Sequence, residues 1–171
     1  MKKLIMLLLA LSPLCLKAQT NGKTDSAVIA TLPNDILYIV DGKETGKADV
    51  GKVKNDDILD VTVLKNADAE AKYGTKGDKG VLVITTKKYA ITQYQEKISA
   101  VCDEYESFLT GHGTDDAQIV YYINGVPLAK DKDETGKLFH LPKDNIESAV
   151  FVQDEPAGSK ILAKIKITTK K

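Results

Sequence analysis

The sequence predicts an α+β fold in which two small, β-rich split-βαβ units are joined by a long amphipathic helix. Three observations predict it. Short β-branched and aromatic runs recur between Gly- and Asp-containing turns. The stretch 89–111 changes to a period of three to four residues. The residues after that stretch answer, block by block, those before it.

The chain opens on Lys2 and Lys3, an apolar run from Leu4 to Leu11, and a small residue, Ala18, ahead of Gln19. This is the layout of a secretory signal, so residues 1–18 are expected to be a signal peptide cleaved after Ala18. Its apolar stretch is too short to span a bilayer stably. Leu14 stands where lipid attachment at Cys15 needs a small residue, which argues against a lipoprotein. Residues 19–33 are expected to form a polar, flexible leader followed by a first strand, Ala27–Leu32.

Residues 34–88 read as the first unit. Ile36–Val40 is a β-branched and aromatic strand that Asp41-Gly42 stops. Lys43–Asn55, rich in Gly, Lys and Asp, reads as a loop with one irregular turn. Ile58–Lys65 reads as a strand with Val61 and Val63 on one face. Asn66 is placed to cap a short helix over 67–72, which Gly74 ends just after Tyr73. After the loop 75–80 comes Val81–Thr86, whose continuous apolar run predicts cover on both faces.

In 89–111 the residues Ile91, Tyr94, Ile98, Val101, Cys102, Tyr105 and Leu109 share one helical face, which predicts an amphipathic helix of about five turns. The pattern favours packing on its own domain over docking to a partner. Residues 112–171 form a second, degenerate unit. Tyr122-Ile123-Asn124-Gly125 answers Tyr38–Gly42, 144–152 answers 56–64, and Ile167–Lys171 repeats Ile84–Lys88 letter for letter. The second copy has Pro156 and Gly158 where the first has its Ala-rich helix, and these favour a turn. Two separate sheets and one continuous sheet both fit this pattern.

Lysine and arginine together number 24, as do aspartate and glutamate, and removing the leader's three lysines leaves a net charge of −3. Such a chain has no electrostatic basis for holding nucleic acid. All its basic residues of that class are Lys, so the planar fork for bidentate anion recognition is missing. After leader removal Cys102 has no cysteine to pair with inside the chain. It is either a buried, inert thiol or an intermolecular handle, and its place on the apolar stripe favours the first. No later run is long and apolar enough for a transmembrane helix.

Signs of chemistry are sparse. His112 and His140 lie far apart in sequence, with no Cys or His at metal-ligand spacing. A Cys102–His112 dyad would set a stripe residue against one in a glycine turn. The acidic runs Asp115-Asp116 and 131–134 lack the alternating spacing and central Gly of a calcium loop. Gly74, Gly77 and Gly80 precede a strand, whereas phosphate binding uses a helix N-terminus. No catalytic, metal or cofactor-binding residue is expected. The competing reading is a small metal-dependent periplasmic enzyme or accessory that uses His112 and His140.

Four blocks point to a family: Tyr38–Gly42, Asp57–Lys65, Ala69–Gly74 and Gly80–Lys88. In this order and spacing they resemble the plug domain of TonB-dependent outer-membrane receptors, in particular the starch-utilisation type of Bacteroidota. The resemblance covers Ile36–Lys88, and 122–171 is a weaker copy. It implies a structural motif at Asp41, Gly42, Tyr73, Gly74 and Gly80, with no catalytic or ligand site. In that family the plug sits inside a large barrel and gates uptake, and a short N-terminal peptide is pulled by the periplasmic protein TonB. A barrel of about 22 strands at about ten residues each needs some 200 residues, which this length does not supply. Between Gln19 and Asn34 no TonB-contacting peptide is recognisable. The expectation is therefore a free-standing, non-catalytic plug-like binding or adaptor module. It would be exported to the periplasm or the periplasmic face of the outer membrane, where it would dock on an outer-membrane barrel, a TonB-like protein or another envelope protein. A third reading is a purely structural remnant of a receptor gene, folded but without a partner.

Overall fold

The structure, a computed structural model, describes residues 33–153 and 160–170. The predicted signal peptide and the strand Ala27–Leu32 lie outside the described residues.

The fold is α+β, with two four-stranded sheets and five α-helices among the described residues. The first sheet contains β1 (Leu37–Val40), β2 (Lys43–Thr45), β3 (Ile58–Leu64) and β4 (Val81–Thr86), in the order β2-β1-β4-β3. β1 runs parallel to β4, while β2 and β3 are antiparallel to their neighbours. The second sheet contains β5 (Ile119–Ile123), β6 (Val126–Pro127), β7 (Ile146–Val152) and β8 (Ala163–Thr169), in the order β6-β5-β8-β7 with the same directions. Even the irregularities correspond: the register slips between Ile58 and Asp60 in β3, and between Ile146 and Ser148 in β7.

The helices are α1 (Lys47–Val50), α2 (Asn66–Tyr73), α3 (Lys87–Ser99), α4 (Asp103–Gly111) and α5 (Glu134–Phe139). In the first sheet α1 presses its fully buried Val50 against Tyr38, Leu82 and Ile84 on one face. On the other face, Ala69 of α2 packs on Ile39 and Val81. The continuous apolar run of β4 is thus buried on both sides, as expected. The largest core belongs to the second sheet, where α3 and α4 lay Tyr94, Ile98, Tyr105, Phe108 and Leu109 on β5, β7 and β8.

Four expectations need correction. The stretch 89–111 is not one long helix: α3 ends at Ser99, and α4 starts at Asp103 with Cys102 as its extended N-cap. Short-range bonds from Val101 N to Ile98 O and from Cys102 N to Ser99 O tighten the chain at the break. A straight helix of that length would run about 34 Å. A seven-residue strand covers only about 23 Å, so the bend brings both halves onto the same sheet. The expected loop over 43–55 contains β2 and α1, and a 3₁₀ turn, Asn55–Asp57, follows. Asn66 is the first residue of α2 with φ 50°, not its cap, and Lys65 takes the cap position without a side-chain bond. Finally, Tyr121, not Tyr122, occupies the place of Tyr38, since Tyr38 pairs with Leu82 as Tyr121 pairs with Ile165. The letter match slid by one residue because the second copy has a tyrosine at both 121 and 122; in the sheets Val40 pairs with Ile84 as Ile123 pairs with Ile167, so neither copy carries an extra residue there.

Candidate functional site

Asp41 and Gly42 form the two-residue turn between β1 and β2, with φ of 52° and 76°. Positive φ at both central residues matches the hairpin to the twist of its strands. The Asp41 carboxylate accepts bonds from the Thr86 amide (2.7 Å) and the Thr86 hydroxyl (2.9 Å). The same hydroxyl oxygen accepts from Tyr89 N at 3.2 Å and so caps α3. One side chain thereby ties the hairpin to the end of β4 and the start of the helix. A Cβ on Gly42 would lie 3.2 Å from the Tyr89 Oη, so α3 closes directly over the turn.

The second sheet repeats this device. Asn124 and Gly125 have φ of 51° and 82°. Asn124 Oδ1 accepts from Thr169 N at 2.9 Å, and its Nδ2 donates to Thr169 Oγ1 at 2.8 Å.

Tyr73 and Gly74 end α2, with Gly74 at φ 61°, and Gly80, at φ 105°, accepts a bond from Leu37 N that starts the β1–β4 pairing. The five motif residues therefore sit at two places in the first sheet: Asp41 and Gly42 at the hairpin, and Tyr73, Gly74 and Gly80 around the connection into β4. The tightest position is Gly77, where a Cβ would stand 2.5 Å from the Ala69 carbonyl oxygen.

The polar cluster under α3 and α4 was not among the expected sites. Tyr94 donates to Asp116 Oδ2 at 2.6 Å, and Tyr121 donates to the same oxygen. The Tyr121 proton is thus committed, so Tyr105 donates to Tyr121 across 2.7 Å. Both outer rings meet Tyr121 edge-on, with centroids 5.9 and 6.4 Å away. Burial is the main cause that pushes all three phenols well above the ordinary tyrosine range, and the Asp116 charge adds to it. This cluster is a packed, hydrogen-bonded core. Its three tyrosines are buried, and Asp116 is half-buried.

His112 and His140 are not brought together in one group. His112 stacks on Phe108 with its Nδ1 2.8 Å from the Phe108 carbonyl, while His140 caps α5 and meets Phe139 edge-on. No group of three or more His, Cys, Asp or Glu side chains among the described residues is arranged to hold a metal ion. Cys102 is a buried free thiol, and burial raises its pKa.

Surface features complete the picture. β3 and β7 end their sheets with seven-residue strands, and Val63 and Val150 on them are 57% and 53% exposed. A groove of about 380 Å³ runs past Pro33, Ile36, Val63 and Leu82 at one end of the first sheet. No described helix is long and apolar enough to cross a membrane.

The chain is similar to part of a TonB-dependent receptor. That protein, TonB-dependent receptor P26 of Formosa agariphila, is 34% identical over 78 residues, which are 40% of this chain and 8% of the receptor. The chain thus covers a small fraction of its relative's length. No family model matches the chain. No solved structure matches it.

Proposed function

We propose that this chain is a non-catalytic, plug-like binding module of the bacterial envelope, exported to the periplasmic face of the outer membrane, where it docks on an outer-membrane receptor or a TonB-like protein. The observation that carries this reading is the likeness to a TonB-dependent receptor, together with the build of the first sheet. The four blocks that resemble the plug are its structural joints: the Asp41-Gly42 hairpin, β3, the α2 terminus at Tyr73-Gly74, and β4 entered through Gly80. The equal strand order and equal turns of the second sheet support a duplicated, degenerate unit over 112–171.

A binding role also suits the edges. β3 and β7 have no neighbour on one side among the described residues, and an open edge strand offers its amides and carbonyls to an added strand. The test is a cross-linked pull-down from cell envelopes with the tagged chain. Capture of an outer-membrane barrel or TonB-like protein, reduced by Val63→Lys or Val150→Lys, is the expected result. Recovery of the protein by itself under saturating cross-linker would reject the proposal.

A further inference from the structure

The two sheets can be compared position by position, and one face differs in its floor. On the first sheet, Leu37, Ile39, Leu64, Val81 and Val83 pack with Ala69 and Tyr73 of α2. The ladders give each floor residue a counterpart. Leu37 and Ile39 pair with Val81 and Val83 as Val120 and Tyr122 pair with Lys164 and Lys166. Leu64 pairs with Val81 as Val152 pairs with Lys164, and Val150 lies opposite Lys166. The second sheet thus carries two lysines on β8 where the first carries two valines under a helix. α3 and α4 pack on its other face, against Tyr121, Ile165 and Ile167. Lys166 is exposed, Val150 is 53% exposed, and none of these six counterparts joins an apolar cluster of the described residues.

An apolar helix laid over this face would strip water from two ammonium groups without pairing them, which is unfavourable. We propose that the face is a docking surface for an acidic amphipathic helix of a partner protein, seated as α2 is seated on the first sheet. The matching face shows that this geometry takes a helix of eight residues, with a small Ala69 at the contact. The charges select acids. Lys164 and Lys166 stand two residues apart on β8, about 7 Å, and residues four apart on a helix are separated by about 6 Å along its axis. Asp or Glu at such a pair of positions, on one side of the helix, meets both lysines. Apolar residues on the same side cover Val120 and Tyr122 to one flank and Val150 and Val152 to the other. Flexible lysine stems let the ammonium groups reach the carboxylates while their methylenes stay on the apolar floor. None of the six positions is acidic; Glu147 lies at the end of the sheet beside Thr168 and Lys170. This inference rests on the docking role proposed above, and assigns it to a sheet face where that reading invoked strand edges.

Photo-cross-linking on the full chain tests it. A benzophenone side chain replaces Val150, is photolysed in cell envelopes, and the cross-linked peptide is identified by mass spectrometry. The expected adduct lies in a partner protein, in a helix with acids four residues apart. Lys164→Glu combined with Lys166→Glu is expected to lower its yield at least about tenfold, while Lys164→Arg with Lys166→Arg keeps it. Both lysines lie outside the core, so either pair is expected to leave the melting temperature close to that of the parent chain. Adducts within the chain, to a second copy, or to a partner segment lacking such acids would overturn the proposal. So would no adduct, or a yield that charge reversal leaves intact. If envelope capture still falls with Val63→Lys in that case, the docking role stands and this face is not its surface.

Discussion

At Gly77 the clash a methyl group would meet is with backbone, the Ala69 carbonyl at 2.5 Å, so no flexible side chain can yield. Gly77→Ala must push the connection before β4 away from α2, and is expected to cost about 2–3 kcal/mol in a urea titration. The buried phenols make a different prediction. Their folded-state pKa values lie above the unfolded value of 10.0. Their contribution to stability is therefore complete below about pH 10 and is lost as pH rises from there towards the folded values. Melting curves should stay level up to about pH 10 and then fall steeply. Tyr121→Phe removes the central hydroxyl, leaves Tyr105 without its acceptor, and is expected to cost about 1–3 kcal/mol at neutral pH. None of this cluster was legible in the sequence. Tyr94, Tyr105 and Tyr121 read as ordinary apolar stripe and strand residues, and Asp116 as part of a solvated acidic run, because four separate segments bring them together.

The elements were easier to read than their joints. β1, β3 and β4 stand within a residue or so of the expected runs, since β-branched composition and Gly or Asp stops mark strand ends directly. The break between α3 and α4 left no mark, because Ser99–Cys102 contains neither Gly nor Pro and the apolar period runs straight through it. Within 43–55, the single fully buried Val50 is too little pattern to announce α1. At the hairpins the two copies provide each other's controls. Asp41→Asn should change stability by less than about 0.5 kcal/mol, because Asn124 makes the matching bonds to Thr169. Asp41→Ala, which leaves the Thr86 amide and hydroxyl without their acceptor, should cost about 1–2 kcal/mol, and both are checked by thermal denaturation.

Over the whole molecule, burial is unevenly divided. The cluster under α3 and α4 holds fourteen buried residues, whereas those of the first sheet hold four and three. Apolar burial is the main favourable contribution to folding, so the second sheet should be the last region to open. Amides of β5 and β8 are expected to exchange more slowly than those of β1 and β4, and equal protection would contradict the assignment of the dominant core. The better plug resemblance lies in the first unit, while the larger buried core lies in the second. Resemblance followed the turn and strand letters. Stability follows α3 and α4, which lie between the copies and serve mainly the second.

The hairpin of the second sheet bears on how the protein ages. An Asn-Gly pair is prone to spontaneous loss of its side-chain amide over time, and Asn is counted among the thermolabile residues. Here the α-aspartyl product of Asn124 would be the residue that Asp41 already places in the corresponding turn, with Thr169 positioned to donate as Thr86 does. The α-aspartyl fraction of stored protein should therefore shift on an isoelectric gel with its melting temperature unchanged, whereas the isoaspartyl fraction, with its backbone one methylene longer at the turn, should melt lower.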